Sequence, residues 1–160
     1  MKRAYITILG RSTWALINTY YAVLMKKEYF PDTLHIFSEN VFADELEKAA
    51  EGMRILSKEF GISPEIQTHL VPEADFVSAG RMISELIRRL KEEGCSIAID
   101  ITAGRKALVA AALIPAVKHK MDHVFYLAVK RLESKPYMMI PMANQSLRDF
   151  IREAEAVKGD

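Results

Sequence analysis

The chain predicts an α/β domain: a doubly wound, mostly parallel Rossmann-like sheet of about six strands with helices on both faces. Three observations lead there. Short β-branched runs alternate with amphipathic helical periods almost from end to end. The turns leaving the first and fourth runs, Gly10-Arg11-Ser12-Thr13 and Ala103-Gly104-Arg105-Lys106, have the chemistry of strand-to-helix turns. The 160 residues suffice for one good core and are too few for two, so residues 1–160 are read as a single domain.

Ala4–Leu9 is a strand-length β-branched run that Gly10 stops. Ser12 is placed to cap a helix from about Thr13 to Lys27, ahead of Pro31. Thr33–Ser38 is the second strand. Phe42, Leu46, Ala49, Met53, Leu56 and Phe60 recur at three- and four-residue steps, the clearest helical period in the chain, and Gly61 ends it. Glu65–Val71 is a third strand, polar enough for a sheet edge. Phe76, Ile83, Leu86, Ile87 and Leu90 mark a third helix, closed by Gly94, and Cys95–Ile101 is the fourth strand.

The helix that follows, Lys106 to about Lys120, is apolar on nearly every side. That predicts burial on more than one face, with the sheet on one side and a second subunit on the other. Pro115 within it is a candidate kink. His123–Val129 is a fifth strand, and Pro136–Pro141 a sixth, joined through Glu133-Ser134-Lys135. Ser146–Val157 closes the chain as a helix.

Composition narrows the function. Half the residues are hydrophobic and 27% are charged, ordinary for a soluble globular protein. Lys+Arg 22 against Asp+Glu 21 leaves a net charge of +1, so no global basic field exists to hold long nucleic acid, and anion recognition must be local. No signal peptide or membrane span is visible. The single cysteine, Cys95, excludes an internal disulfide and suits a reducing cytoplasm; at the start of a strand it reads as a small buried hydrophobe. The expected location is therefore cytoplasmic.

The strongest chemistry lies where Ser96–Asp100 runs through Ile101-Thr102-Ala103-Gly104 into Arg105 and Lys106. Backbone N–H groups and a helix dipole face outward at such a turn and favour an anion, most commonly a phosphate. Cations in a helix's first turn are unfavourable unless an anion offsets them, so Arg105 and Lys106 lean functional. Doubly wound topology makes the first and fourth strands neighbours at the switch point. Gly10, Arg11, Ser12 and Thr13 would then share one crevice with Thr102 to Lys106.

Neither Gly-x-Gly-x-x-Gly nor Gly-x-x-x-x-Gly-Lys-Ser/Thr occurs, which disfavours an ordinary dinucleotide dehydrogenase or an NTPase. Ser12 divides evenly between helix cap and ligand contact. Asp100 is assigned first to holding the turn, by accepting N–H bonds from Thr102 to Gly104, and second to a ribose hydroxyl. His119 and His123 do not form a metal site by spacing alone, and neither a metal nor a cofactor is expected. Trp14 and Tyr20, on the helix after the first turn, read as packing, with base stacking the alternative.

The run Asp100-Ile101-Thr102-Ala103-Gly104-Arg105-Lys106 with its apolar helix Ala107–Val117, supported by Gly10-Arg11-Ser12, resembles the CARF domains, the Rossmann-like sensors of type III CRISPR systems. Many members have Gly-Gly-Thr-Lys where this chain has Ala103-Gly104-Arg105-Lys106; the Lys106 position is kept. The resemblance implies a two-fold homodimer that binds a cyclic oligoadenylate, most often the tetra-adenylate, across its axis. Gly10, Arg11 and Ser12 would line one part of the pocket, and Thr102, Ala103, Gly104, Arg105 and Lys106 would cradle the phosphates.

Two roles follow from it. The chain is a stand-alone sensor acting through dimer rearrangement or a separate effector protein, or it is a metal-independent ring nuclease. In the second role a ribose 2′-hydroxyl attacks the adjacent phosphate to leave a 2′,3′-cyclic phosphate. Lys106 and Arg105 would then stabilise charge and Ser12 would position the phosphate. The alternatives are a dimeric regulator or adaptor binding another nucleotide at the same crevice, and an unrelated enzyme on a flavodoxin-like fold.

Overall fold

A computed structural model describes residues 1–130 and 139–158. Five strands form in the order the sequence expects: β1 (Arg3–Leu9), β2 (Thr33–Glu39), β3 (Glu65–Val71), β4 (Ser96–Asp100) and β5 (His123–Val129). The helices between them are α1 (Thr13–Lys27), α2 (Ala43–Glu59, after a short 3-10 turn), α3 (Phe76–Glu92) and α4 (Lys106–Lys118). The sheet order is β3-β2-β1-β4-β5-β6. β1 and β4 are parallel neighbours, with Ile6 opposite Ile99, as switch-point topology requires. The polar strand β3 is an edge strand.

Alternation along the central strands sends their side chains to two cores. Tyr5, Leu9, Leu34 and Ile36 meet Leu16, Tyr20, Met53 and other residues of α1 and α2. Ile6, Ile8, Phe37, Ile97 and Ile99 meet Ile83, Ile87, Leu108 and Ala112 of α3 and α4. Gly80 of α3 faces the Ala111 carbonyl of α4, so small residues let these two helices lie close.

The C-terminal third corrects the expected order. The sixth strand, β6, is Gln145–Asp149, and the closing helix α5 begins only at Phe150 and runs to Lys158. Of the expected strand Pro136–Pro141, residues 136–138 lie outside the described residues, and Met139, Ile140 and Pro141 belong to no strand. The helical spacing of Ser146–Val157 is overridden over its first four residues by backbone pairing. β6 runs antiparallel to β5, with Leu147 opposite Leu127 and Asp149 opposite Phe125. Asp149 then ends the strand by accepting N–H bonds from Val124 and Ile151, both at 3.2 Å.

α4 continues through Pro115 and ends at Lys118. Its Leu108, Ala111, Ala112 and Ala116 are buried, whereas Ile114 and Val117 are 61% and 74% exposed. With Phe76 and Val77 of α3, Ile114 lines an open apolar groove of about 330 Å³. Cys95 is buried in the α3/α4 core. No helix among the described residues is long and apolar enough to cross a membrane.

Candidate functional site at the switch point

The two turns singled out in the sequence meet. A Cβ built on Gly10 would lie 2.6 Å from the Gly104 amide nitrogen and 3.0 Å from its Cα, so only glycine permits this approach of the β1 and β4 loops. Gly104 has φ +90°, and a Cβ there would also fall 2.5 Å from Cγ2 of buried Ile8. The two loops thus share one floor above the β1–β4 pair.

Asp100 sets the loop between β4 and α4. It is fully buried, with Oδ1 accepting from the Thr102 amide at 2.9 Å and Oδ2 from the Thr7 hydroxyl at 3.0 Å. Of the expected amide contacts from Thr102 to Gly104, only that of Thr102 forms. The ribose role is corrected as well, because both oxygens are enclosed beneath the crevice. Burial pushes the Asp100 pKa up to about 6, against the opposing pull of the bonds from Thr102 and Thr7. The Thr102 hydroxyl accepts from the Leu127 amide at 2.9 Å, tying the loop to β5 as well. Thr102 is half-buried beside the crevice, and Ala103 next to it is buried.

Arg105 occupies the N-cap position of α4 without a capping side chain, so the amides of that first turn have no side-chain partner at this position. Its guanidinium is not free. It is ion-paired to Glu39 at 2.8 Å and to Glu73 at 3.2 Å, and the Glu39 side chain is only 3% exposed. These carboxylates supply the anion that a first-turn cation needs, and they raise the Arg105 pKa above its ordinary value. Lys106 is exposed and forms no ion pair among the described residues; the same holds for Arg11 across the crevice.

Ser12 acts as a helix cap, accepting from the Ala15 amide at 3.4 Å, and the Thr13 hydroxyl donates to Glu45 at 3.2 Å. Tyr20 is corrected from possible base stacking: it is fully buried and its hydroxyl lies 2.7 Å from that of Ser57. Trp14 is partly buried against the α1/α2 core.

Glu39 and Glu73 were missed in the sequence. Glu39 was open to the strand-end rule that selected Gly10 and Asp100, since it closes β2 beside β1. Glu73 lies in the turn before α3 and carries no such signal. None of the four histidines reaches this crevice: His35 and His69 contact each other within the sheet, while His119 and His123 lie at the opposite end of α4 and β5.

No protein-family profile matches the chain, and no curated protein sequence matches it significantly. Its fold is nevertheless shared with solved structures. Can2 from Sulfobacillus thermosulfidooxidans, in complex with cyclic tetra-adenylate, superposes with a TM-score of 0.57 at 14% identity, covering 78% of this chain and 31% of that one. Csm6 from Enterococcus italicus, bound to cyclic hexa-2'-fluoro-hexa-dAMP, gives 0.60 at 14% identity over 85% of this chain and 35% of that one. A type III CRISPR defence DNA nuclease activated by cyclic oligoadenylate gives 0.62 at 10% identity, with coverages of 82% and 19%. The chain therefore spans about a third or less of these proteins, and at such identities the likeness is one of fold, a Rossmann-like α/β architecture.

Proposed function

We propose that this chain is a cyclic-oligoadenylate sensor of the CARF type. It works as a two-fold dimer, and the crevice above β1 and β4 is each subunit's half of the ligand site. The observation that carries this reading is the Gly10–Gly104 apposition. It joins an uncapped helix start, the exposed Lys106 and the exposed Arg11 on one rigid floor. Lys106 and the first-turn amides of α4 take a phosphate from one side, and Arg11 approaches from the other turn. A ring of repeating nucleotides suits a two-fold site because each subunit meets an equivalent half. The exposed apolar face of Ile114, Val117, Phe76 and Val77 is the surface that the second subunit covers.

Sensing is favoured over rapid ring opening by the placement of the histidines, which leaves the crevice without an imidazole base among the described residues. The decisive experiment incubates the protein with labelled cyclic tetra-adenylate in EDTA and resolves bound ligand, free ligand and products. Retention of intact ligand is expected. Accumulating linear adenylates would make the chain a metal-independent ring nuclease, with Lys106 and Arg105 stabilising charge and Ser12 positioning the phosphate. Neither binding nor cleavage would remove the assignment for the four-membered ring. A monomer by light scattering, with and without ligand, would remove the dimer.

Lys106→Ala is expected to weaken binding about ten- to a hundred-fold, the size of one charge-assisted hydrogen bond of ~1.5–3 kcal/mol. Unchanged affinity would take Lys106 out of the site. Glu39→Gln, which frees Arg105 from its buried carboxylate, is expected to tighten binding several-fold; weaker binding would instead make the Glu39–Arg105 pair a support of the loop.

A further inference from the structure

We infer that the opposite end of the sheet carries a second, separate site, for a small phosphomonoester, organised around His123 and Asp149. A cavity of about 470 Å³ opens below the N-terminal ends of β1, β4 and β5, lined in part by Arg3, Lys27, Tyr29, His123, Asp149 and Arg152. This inference does not depend on the oligoadenylate reading, because no residue of the crevice takes part.

Asp149 is the fixed element. It is nine-tenths buried where β6 becomes α5. Its Oδ1 accepts from the amides of Val124 and Ile151, and its Oδ2 lies 2.7 Å from Nδ1 of His123. Burial alone would raise its pKa, but His123 and the two amides together draw it below the usual carboxylate value, so it is a charged acceptor. A charged acceptor at Nδ1 requires the proton to sit there, which leaves Nε2 as the free nitrogen of a ring in one defined orientation. Nε2 has no hydrogen-bond partner among the described residues. The ring cannot turn easily: it stacks on Phe125 at 5.3 Å and 8°, and the edge of Tyr29 meets it at 5.5 Å. Tyr29 is itself anchored, donating to the carbonyls of Ala4 and Ser96, each at 3.0 Å.

The charges around this imidazole favour an anion. Arg3, Lys27 and Arg152 line the cavity against Glu28, and the Asp149 carboxylate is already held by three hydrogen bonds, from His123, Val124 and Ile151. Lys27 is at home in the last turn of α1, where the helix dipole favours cations. Arg152 is not: it stands in the first turn of α5, and its link to Glu155 is a long 3.5 Å between exposed side chains. An anion in the cavity would resolve that mismatch. Two guanidinium groups facing anionic oxygens, and an imidazole Nε2 that accepts from a phosphate P–OH, match the three terminal oxygens of a phosphomonoester monoanion better than the two of a carboxylate. The volume exceeds that of phosphate alone and leaves room for the esterified group.

The test follows the His123 ring nitrogens and Hε1 by NMR while inorganic phosphate, and separately phenyl phosphate, is added to the whole chain. A saturable shift is expected, with phenyl phosphate the tighter of the two. Arg152→Ala, a change at an exposed position, is expected to weaken both about ten-fold or more and to leave cyclic tetra-adenylate retention unaltered. His123→Gln is expected to abolish binding of both, followed through the Arg3 and Arg152 resonances. A response that never saturates, or that keeps its affinity in Arg152→Ala or His123→Gln, would overturn the site. Equal affinity for the two probes would overturn the phosphomonoester assignment, and loss of tetra-adenylate retention in Arg152→Ala would overturn the separateness of the two sites.

Discussion

Gly104→Ala is expected to destabilise the protein by about 2–5 kcal/mol and to abolish anion binding in the crevice. Two costs combine. A residue with a Cβ at φ +90° leaves its allowed backbone region, at ~1–2 kcal/mol. The new methyl carbon would also stand 2.5 Å from Cγ2 of Ile8, a fully buried β-branched side chain, and overpacking of that kind costs ~1–3 kcal/mol. In a chain of this size the sum corresponds to a fall in Tm of roughly 10 °C. Gly10→Ala separates the two effects. No positive φ is at stake there, but its Cβ meets the Gly104 amide nitrogen itself, which moves only with the loop. That variant is expected to lose anion binding with a smaller loss of stability. Thermal melts alongside ligand retention read both quantities; normal binding in Gly10→Ala would show that contact between the loops is not what makes the floor.

Acid stability is the second large effect, and it has two opposed parts. Asp100 is expected to titrate near 3.8 when unfolded and at about 6 in the fold, because burial disfavours its charge. Between those values the folded chain binds the extra proton, so this contribution is complete below about pH 3.8 and is lost as pH rises through 6. His35 runs the other way. Burial, then the neighbouring His69 and Arg89, lower it from 6.5 to about 4, and its contribution is present above pH 6.5 and lost as pH falls towards 4. His69, stacked on Phe37 and bonded to His35 at 3.1 Å, is lowered in the same sense.

The Asp100 and His35 shifts are each worth on the order of 3 kcal/mol, so the two slopes largely cancel in the natural chain between pH 4 and 6. Asp100→Asn keeps an acceptor for the Thr102 amide and offers an N–H to Thr7. It is expected to be more stable than the natural chain at pH 7 by up to about 3 kcal/mol, and to lose stability steeply on acidification. His35→Gln is expected to show the reverse slope. Urea midpoints measured from pH 4 to 7 decide the matter: parallel pH profiles for all three proteins would mean that neither group carries the assigned shift.

The site was half legible for a physical reason. Turn chemistry is local, so Gly10, Ser12, Gly104 and the Asp100–Thr102 contact were written in neighbouring residues and in the way strand ends meet helix starts. The charge balance was not. Arg105 and Lys106 look equivalent in sequence, yet Arg105 is held by carboxylates from β2 and from the turn before α3, while Lys106 stays exposed. Which of two adjacent cations is left for a ligand depends on what a strand far away in the chain brings beside it.

The same division runs through the fold. Periodicities of two and of three to four residues, broken by glycine and proline, were enough to determine five strands, four helices and their parallel winding, because burying one face of each element leaves few arrangements. Tertiary structure alone decided the last strand. Gln145–Asp149 carries a helical spacing, and only the unpaired edge of β5, together with the His123 and Val124 partners waiting for Asp149, makes it a strand. A short polar segment has too little apolar surface to choose its own conformation, so the backbone hydrogen bonds offered by a distant edge choose it.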